Sequence, residues 1–590
     1  LNEAFDWDCK EFDELHRKVE IKSLEEVNAV INSITICDPA VGSGHFLVSC
    51  LNELLAIKAE LKVLCDVEGK RIPYLDIEVE NDELAIEHDG ELFEYKVNHE
   101  WKNELVERSH AGKERQRIQE ALFHEKRFLI EHCLFGVDIN PNSVKICRLR
   151  LWIELLKHAY YKSEQSHPED TSEGSAQSGT SYIPYSELEV LPNIDINIKQ
   201  GNSLVSRFGL DEDLTSIFKK SEHSLDDYKQ AVKNYRKTRD RSEKQRLQKL
   251  IDDIKAEYSE TLLNNKPINK KLSKERGKLE LMQNEDLFGG GKATKKELTA
   301  QQKKVTKLEE QKAEEEAGVF YREAFEWRFE FPEVLDDQGN YTGFDVVVAN
   351  PPYIRQEEVK EFSQYFKENY QSYSGKSDIY VFFYEKGVAL LKEKGAFCYI
   401  TSSKFFEANY GKPLVDLLFN TITITEIIDF NDLQVFEDAT TYPIIFSAIN
   451  LIQNDYLFNH YSVNNLPQSS NATFQEDAKL LKCSKKSFNE NGNNFIDSKT
   501  SELIKKSQDE AKSLEEICGL PIVGVKTGFN EGFLTSSGNT ELKKTYVFGR
   551  DIKKYQPINS TNEIVFPYDD SNELVDIEEY PKSKEALERF

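Results

Sequence analysis

The sequence predicts an α/β protein built on a doubly wound mixed sheet, with a helical insertion and a mostly β C-terminal domain. Three observations lead to this fold class. Apolar runs alternate with helical periodicities, several apolar runs end in a turn that contains glycine or proline, and a long Lys- and Glu-rich stretch interrupts the alternation. Strands that alternate with helices along a chain form a largely parallel sheet covered by helices on both faces.

Four apolar runs are predicted to be strands of this sheet. The first two, at 34–38 and 134–138, each lead through a turn into a helical periodicity. The third, at 344–349, leads into a proline pair, and the fourth, at 396–400, follows a helical segment. Apolar runs of this length are typical of strands that are buried on both faces.

The chain is predicted to divide into a large first domain over 1–455, a linker over 456–510 and the beginning of a mostly β domain over 511–590. Two insertions interrupt the first domain. Residues 62–125 are polar with short alternating pieces and predict a hairpin or two plus a helix. Residues 211–318 are rich in Lys, Glu, Gln and Leu, which predicts a helical hairpin or coiled coil.

Composition sets limits on the class of protein. No apolar stretch is long enough for a membrane helix and the N-terminal segment is polar, so we expect a cytoplasmic protein. The nine cysteines contain no Cys-x-x-Cys pair, so we expect neither a metal cage nor a disulfide framework. The net charge of -28 does not exclude nucleic acid as a partner, because a basic cleft can lie in an acidic molecule.

A glycine-containing turn follows the first predicted strand, in the run DPAVGSGHF at 38–46. Gly42 and Gly44 permit backbone angles, and a close ligand approach, that a Cβ would prevent. In doubly wound sheets, nucleosides bind in the crevice beside such a turn. No Gly-Lys-Ser/Thr follows, so the turn is not a P-loop. A tight connection without a ligand is the alternative interpretation.

Asp138 ends the second predicted strand. A carboxylate at this position can accept hydrogen bonds from both ribose hydroxyls of a nucleoside cofactor. It lies much farther from the glycine turn than the usual spacing of about 20 residues, and we attribute the excess to the insertion over 62–125. The alternative is an aspartate that caps the following helix.

The tetrapeptide Asn350-Pro351-Pro352-Tyr353 follows the third predicted strand. Two consecutive prolines remove two N–H donors and hold the backbone extended. The Asn350 amide oxygen and a neighbouring carbonyl can together accept both hydrogens of one exocyclic amino group, which directs the nitrogen lone pair at an electrophile. Tyr353 offers a stacking face for a base. A proline-rich turn after a buried strand is the alternative.

In this order, the motifs make the sequence resemble the γ-class adenine-N6 DNA methyltransferases. More narrowly, it is similar to the large members fused to an endonuclease in type IIG restriction–modification proteins. The resemblance covers nearly the whole chain and implies a Rossmann-like S-adenosylmethionine-dependent methyltransferase fold followed by a truncated target-recognition domain. The runs that carry it are 38–47 and 350–353, supported by 135–141, 201–204, 325–334 and 376–380.

The resemblance implies S-adenosyl-L-methionine as the cofactor. The glycine turn would line its methionine end, Asp138 its ribose, and Asn202 its adenine. The cofactor-binding residues implied are Asp38, Pro39, Ala40, Gly42, Gly44, Asp138 and Asn202.

The resemblance also implies the reaction, which is methyl transfer to N6 of an adenine flipped out of double-stranded DNA. Asn350 and the Pro351 carbonyl would hold the amino group, while Tyr353 and a second aromatic, Phe436, would contact the extruded base. The catalytic residues implied are Asn350, Pro351, Pro352, Tyr353 and Phe436.

The C-terminal runs at 524–533 and 549–555 resemble the beginning of a target-recognition domain. Lys526, Arg550 and Lys553 would contact DNA phosphates and base edges. The resemblance implies double-stranded DNA as the partner, no metal, and a fused or separate endonuclease.

Other interpretations stay open at this stage. The chain could be a phage-defence methyltransferase with no nuclease in the same polypeptide, or a non-catalytic DNA-binding specificity module that keeps the fold without turnover. The segment that closes over the cofactor in this family is not found before Asp38, and neither is the endonuclease domain. Since the chain also starts with Leu1 rather than Met, we expect a fragment of a longer protein.

Overall fold

The structure is a computed structural model of the chain. The described residues form two compact units, Leu1–Glu502 and Leu503–Phe590. The structure describes residues 1–2, 4–9, 12–80, 82–95, 110–163, 185–188, 194–212, 221–238, 240–265, 267–284, 295–317, 324–436, 442–466, 478–490, 494–510, 534–535, 540–548, 563–569 and 573–588.

Strands and helices are numbered along the chain. The strands are β1 (Ile36–Asp38), β2 (Leu75–Glu80), β3 (Glu83–His88), β4 (Glu91–Leu92), β5 (Leu134–Asp138), β6 (Tyr161–Ser163), β7 (Tyr185–Leu188), β8 (Ile198–Gln200), β9 (Phe344–Ala349), β10 (Leu391–Ser402), β11 (Thr423–Asp429), β12 (Pro443–Ile449), β13 (Leu457–Val463), β14 (Ala478–Ser484), β15 (Leu534–Thr535), β16 (Lys543–Thr545) and β17 (Glu563–Val565). The α-helices are α1 (Phe12–Val19), α2 (Leu24–Ile31), α3 (His45–Glu60), α4 (His110–His132), α5 (Pro141–Leu156), α6 (Leu225–Lys237), α7 (Arg241–Asn265), α8 (Pro267–Asn284), α9 (Lys295–Ala317), α10 (Trp327–Glu330), α11 (Ser363–Asn369), α12 (Tyr380–Ala389), α13 (Lys404–Glu407), α14 (Lys412–Thr421), α15 (Lys485–Glu490), α16 (Ser498–Glu510) and α17 (Pro581–Glu588). Short 3₁₀ helices lie at Ile194–Ile196, Pro332–Val334, Gln356–Phe362, Asn409–Gly411 and Ile577–Glu579.

The first unit contains a nine-stranded mixed sheet, which confirms the predicted fold class. Its strand order is β14-β13-β11-β12-β10-β9-β1-β5-β8. The strands from β10 to β8 run parallel to one another, and β12 runs antiparallel to both of its neighbours. The parallel part is the doubly wound half that the alternating apolar runs predict.

Alternate residues of the central strands pack into two different cores. Ile36 and Val348 belong to the core on one face of the sheet, whereas Cys37 and Val347 belong to the core on the other. Because both faces are covered, nearly every position of these strands must be apolar. This explains why β5 and β9 have the bounds predicted from their apolar runs.

Local signals at the helix ends fix where the helices begin. The Asn140 side chain accepts a hydrogen bond from the Asn142 amide, and Pro141 occupies the first turn of α5. At the start of α6, Ser224 and Asp227 form a reciprocal capping box. These caps fix the first residue of each helix.

The two predicted insertions contain the elements expected from their composition. In the first, β2, β3 and β4 form a small antiparallel sheet, and α4 leads directly into β5. The described residues of the second contain α6, α7, α8 and α9. Buried Tyr228 and Tyr258 pack α6 and α7 against Phe329 of α10, while Leu272 and Val305 pack α8 against α9.

The linker expected over 456–510 is not observed, because its first half extends the sheet. Strand β13 pairs in parallel with β11, and β14 pairs antiparallel with β13. Only three of the seven residues of β13 are buried, namely Phe458, His460 and Val463. Half-buried strands near a sheet edge need no continuous apolar run, and the mixed polarity of this segment therefore suggested a loop.

The described residues of the second unit contain a three-stranded antiparallel sheet in which β17 lies between β15 and β16. Ile564 and Val565 are buried, and the Leu542 amide donates a hydrogen bond of 3.1 Å to Ser583 Oγ beside α17. Within the described part of the chain, no helix is both long and apolar enough to cross a membrane. Nor do the described His, Cys, Asp and Glu side chains form a group of three or more that could hold a metal ion.

Candidate active site

The predicted site motifs all follow neighbouring strands of the parallel half. Strand β1 lies between β5 and β9 and runs parallel to both, with Asp38 opposite Gly136 and Cys37 opposite Val347. Strand β8 lies on the far side of β5. Since parallel strands end at the same edge of a sheet, the glycine turn and the Asn350 loop leave from adjoining strands at one carboxyl edge. This edge is where doubly wound sheets bind their ligands.

The glycine turn is joined directly to the end of β5. Gly42 adopts a φ of 53°, and its amide donates a hydrogen bond of 3.0 Å to Asp138 Oδ2. The other oxygen, Oδ1, accepts a 2.7 Å bond from the Asn140 amide. Asn140 rather than Asp138 caps α5. The carboxylate of Asp138 therefore orders two loops, and the helix-cap interpretation of this residue is wrong.

Asp38 is a buried carboxylate at the base of the same turn. Its exposed fraction is 1%, and its Oδ1 accepts a 2.9 Å hydrogen bond from the Ala40 amide. Burial raises the pKa of Asp38 to about 7, the Ala40 hydrogen bond opposes the increase, and the nearby Asp138 carboxylate adds to it. A cationic ligand group placed here would favour the ionised carboxylate.

Two glycines at this edge have geometric reasons to be glycine. Gly44, the N-cap of α3, has a φ of 84°, and a Cβ on it would lie 2.6 Å from Cys147 Sγ. A Cβ on Gly136 would lie 2.8 Å from a methyl carbon of Val41. The turn therefore packs tightly against both β5 and α5, and these positions admit no side chain without rearrangement.

The loop after β8 lies at the same carboxyl edge, on the far side of β5 from β9. Asn202 is nearly buried, and its side-chain oxygen accepts a hydrogen bond of 3.1 Å from the Leu204 amide. Ser203 Oγ donates a 2.5 Å bond to the Pro39 carbonyl, and the Ser203 carbonyl accepts a 3.2 Å bond from Trp327 Nε1. The structure thus brings Asn202 and the glycine turn into one connected group.

The Asn350 loop holds two buried polar atoms that have no hydrogen-bond partner among the described residues, Asn350 Oδ1 and the Tyr353 hydroxyl. Burial raises the pKa of Tyr353 to about 12. Pro351 is buried and Pro352 is exposed. A buried polar atom without a partner costs roughly 1–3 kcal/mol, so two such atoms in one loop indicate a site shaped for a polar ligand.

A second segment holds this loop in position. The Tyr353 ring stands edge-on to Tyr380, with ring centroids 5.9 Å apart. The Ile379 amide donates a 2.8 Å hydrogen bond to the Ile354 carbonyl, and Arg355 pairs with Asp378 in an isolated bridge. The run at 376–380 supported the family resemblance, but sequence reasoning gave it no role. Its contacts show that it fixes the backbone immediately after Tyr353.

The remaining predicted residues are less closely tied to the site. Phe436 is half-buried and follows β11, which is separated from β9 by β12 and β10. No interaction of Phe436 with the Asn350 loop is observed among the described residues. Lys526, Arg550 and Lys553 lie outside the described residues.

The parallel part of the sheet carries three features at one edge: a glycine turn, a carboxylate at a strand end and an Asn-Pro-Pro-Tyr loop. Together they define a methyltransferase-type α/β domain. Comparison with known families agrees with this class. Residues 132–436 match the family model described as Eco57I restriction-modification methylase. The chain therefore belongs to this family.

Several characterised restriction–modification proteins are similar to parts of the chain. The type II restriction enzyme and methyltransferase RM.Eco57I of Escherichia coli is 26% identical over 243 residues, which is 40% of this chain and 23% of that protein. The type II methyltransferase M.PaeR7I of Pseudomonas aeruginosa is 24% identical over 42% of this chain and 45% of its own length. The chain thus spans less than half the length of either relative.

Among solved structures, the type IIL restriction-modification enzyme MmeI in complex with DNA aligns with 80% of this chain and 37% of its own, at 11% identity and a TM-score of 0.32. The type IIG restriction endonuclease BpuSI aligns with 35% of this chain and 29% of its own, at 14% identity and a TM-score of 0.22.

Proposed function

We propose that this chain carries the methyl-transfer domain of a restriction–modification protein that uses S-adenosyl-L-methionine to methylate N6 of adenine in double-stranded DNA. The observation that carries the proposal is the Asn350 oxygen, which has no partner among the described residues. It lies in the loop after β9, at the same sheet edge as the glycine turn after the neighbouring strand β1. Family membership supports the general class of reaction. The choice of adenine, the residue roles and the DNA substrate are the proposed parts.

The donor set fits the cofactor. Asp38 and the backbone around Gly42 and Gly44 would hold its methionine end, with Pro39 and Ala40 shaping the turn. Asp138 would accept from its ribose hydroxyls, and Asn202 would face its adenine. When bound, S-adenosylmethionine supplies a methyl group already activated by a sulfonium, so the chain needs no covalent intermediate.

The catalytic work of the chain is orientation. Asn350 Oδ1 and the Pro351 carbonyl would accept the two hydrogens of the adenine amino group, which exposes the nitrogen lone pair for attack. The nitrogen would gain the methyl group as the bond between the methyl carbon and the cofactor sulfur breaks, which leaves a neutral thioether, and the nitrogen would then release one proton to solvent. Pro352 keeps the loop backbone extended, and Tyr353 provides a stacking face for a base that has left the duplex.

Contacts to DNA outside the site belong to the same proposal. Lys526, Arg550 and Lys553 would neutralise phosphates or read base edges, and Phe436 would contact the flipped base. A fused or separate endonuclease would cleave unmodified DNA. We place the reaction in the cytoplasm, where DNA and the cofactor are available.

The test is transfer of a tritiated methyl group to duplex DNA by the gene product that contains this chain, followed by nucleoside analysis. We expect the label in N6-methyladenine. Asn350→Ala should reduce transfer by roughly 100-fold or more, because the amino group is no longer oriented. Asn234→Ala, at an exposed amide of α6, is the matched control and should keep full transfer.

Cofactor affinity separates loss of chemistry from loss of folding. Asn350→Ala should bind S-adenosylmethionine within a few-fold of the parent protein, since the proposed cofactor residues are unchanged. Label in N4-methylcytosine would refute the choice of adenine. DNA binding with no transfer by the parent protein would favour the non-catalytic specificity module.

A further inference from the structure

A large cavity lies at the opposite edge of the sheet from the candidate active site. Its volume is about 1050 Å³. Its walls come from Thr35, which precedes β1, from the last turns of α4, and from α6 and Glu333. These residues lie at the amino ends of β1 and β5, whereas the glycine turn and Asn350 follow the carboxyl ends of β1 and β9. The cavity is therefore a separate site.

The lining of this cavity is strongly basic in a chain whose net charge is -28. Its only carboxylates among the described residues are Glu131 and Glu333. Six lining side chains are cationic, namely Arg127, Lys229, Lys233, Arg236, Lys237 and Lys244. An excess of one charge sign in a concave site concentrates counter-ions of the opposite sign.

Existing contacts neutralise only part of this charge. Arg127 Nε lies 3.8 Å from Glu131, and Lys244 Nζ lies 3.4 Å from Asp195. Lys233 and Lys237, one turn apart on α6, are exposed and make no hydrogen bond or ion pair with any residue that the structure describes. The ammonium groups of Lys233 and Lys237 are therefore available to bind an anion in the cavity.

Arg236 is the buried element of this site. Its side chain is only 10% exposed and forms an ion pair with Glu333. One terminal nitrogen also donates a 2.9 Å hydrogen bond to Asn197 Oδ1. Its Nε is buried and has no partner within the described chain. An unsatisfied guanidinium donor in the wall of a basic cavity indicates an anionic ligand, because arginine donors match phosphate oxygens.

We propose that this cavity binds the oligophosphate group of a small molecule, of the class that includes nucleoside triphosphates. Lys233, Lys237 and Arg236 would contact the phosphates. The site is concave, and its arginine is nine-tenths buried. A small ligand can enter such a site and reach the buried arginine, whereas the backbone of a rigid duplex cannot. The volume is close to that of ligand pockets, roughly 300–1,000 Å³.

Inorganic triphosphate is the probe, and isothermal titration calorimetry on the whole chain is the measurement. Lys233→Glu/Lys237→Glu should weaken triphosphate binding at least tenfold. The matched control is Lys303→Glu/Lys307→Glu, which makes the same charge change at the same spacing on exposed positions of α9. S-adenosylmethionine binding is measured on both variants to confirm folding and should not change.

Each result decides the proposal. Selective weakening in the α6 variant supports it, and tighter binding of a nucleoside triphosphate than of inorganic triphosphate would assign the ligand class. No binding by the parent protein, or equal weakening in both variants, would overturn it. Competition by a short duplex with higher affinity, lost in the α6 variant, would instead assign the cavity to DNA phosphates and overturn the small-molecule proposal.

Discussion

Asp38 combines a polar role with nearly complete burial. Its carboxylate orders the glycine turn through the Ala40 amide and lies close enough to Asp138 for the two charges to repel. Functional sites often keep such groups although they lower the stability of the fold, because the groups bind a ligand. Asn350 Oδ1 and the Tyr353 hydroxyl, both buried without a partner among the described residues, belong to the same pattern.

The first prediction concerns the pH dependence of stability. The pKa of Asp38 is higher in the folded chain, about 7, than its ordinary value of 3.8. Ionisation therefore weakens folding as the pH rises from about 4 to about 7. Asp38→Asn cannot ionise, so we expect it to match the parent protein near pH 4 and to be more stable by ~4 kcal/mol at pH 8.

Urea unfolding at several pH values measures this difference. Asp432→Asn, at an exposed position, is the matched control. A difference between Asp38→Asn and the parent protein that does not change with pH would contradict the assignment of a raised pKa to this carboxylate.

The second prediction concerns the backbone at Gly44. Gly44→Ala introduces a methyl group against Cys147 Sγ at a φ of 84°, so we expect a loss of ~2 kcal/mol in unfolding free energy. The same change in a Cys147→Ala background should cost less, because the clash is gone and only the backbone strain remains. Denaturation of the four proteins forms a double-mutant cycle, and strictly additive losses would show that the two residues do not touch.

At the scale of elements, buried charge as well as apolar packing joins the helices of the first unit. Lys58 of α3 is fully buried and contacts Glu125 of α4 at 2.5 Å. Lys58 Nζ also donates a 2.9 Å hydrogen bond to Asn32 Oδ1. Removing one member of such a pair leaves a buried charge without compensation, which typically costs 3–5 kcal/mol.

The third prediction follows from this pair. Glu125→Gln should lower the unfolding free energy by about 3 kcal/mol, and adding Lys58→Met should restore most of the loss because the orphaned charge is removed. Glu68→Gln is the matched control, since Glu68 pairs with Lys70 at 2.5 Å on the surface and should lose less than about 1 kcal/mol. Equal losses for the buried and the exposed substitution in guanidinium denaturation would contradict this account.

Elements differ in how well the sequence predicts them. Strands β5 and β9 could be predicted to the residue, because both of their faces are buried and a turn follows each one. Strands β13 and β14 could not, because only three residues of β13 and one of β14 are buried, which leaves sequences such as LFNHYSV that look like loop. Strand β13 joins the sheet by pairing with β11, and β14 joins it by pairing with β13, and neither contact has a local sequence signal.

At the scale of the whole molecule, the candidate site and the basic cavity both lie in the first unit, Leu1–Glu502. The fourth prediction is that a chain ended after Glu510, which keeps α16 intact, unfolds cooperatively and binds S-adenosylmethionine within about threefold of the whole chain. Sequence-specific DNA binding should be lost with the C-terminal unit. Calorimetry and gel-shift assays measure the two properties. Loss of cofactor binding would show that the first unit is not self-sufficient.

The candidate active site could be predicted from the sequence more completely than the basic cavity. Most of the candidate site could be found because its predicted residues end a strand or closely follow one, and the topology of a parallel sheet then places the strand ends together. The connection between Pro39 and Ser203, and the support of Tyr353 by Tyr380, needed the structure. Most cations of the basic cavity come from one Lys- and Arg-rich stretch of the sequence, which is equally typical of a solvated helix face. The cavity itself could not be predicted, since Thr35, α4, α6 and Glu333 meet only when the helical insertion packs on the sheet.

A crystal structure of the chain with bound S-adenosylmethionine would show where the cofactor lies relative to the Asn350 loop. We expect cofactor density at the carboxyl edge, with the ribose on Asp138, the methionine end at Gly42, and the methyl carbon directed toward Asn350 and the Pro351 carbonyl. Density at another edge of the sheet, or a methyl group directed away from the Asn350 loop, would contradict it.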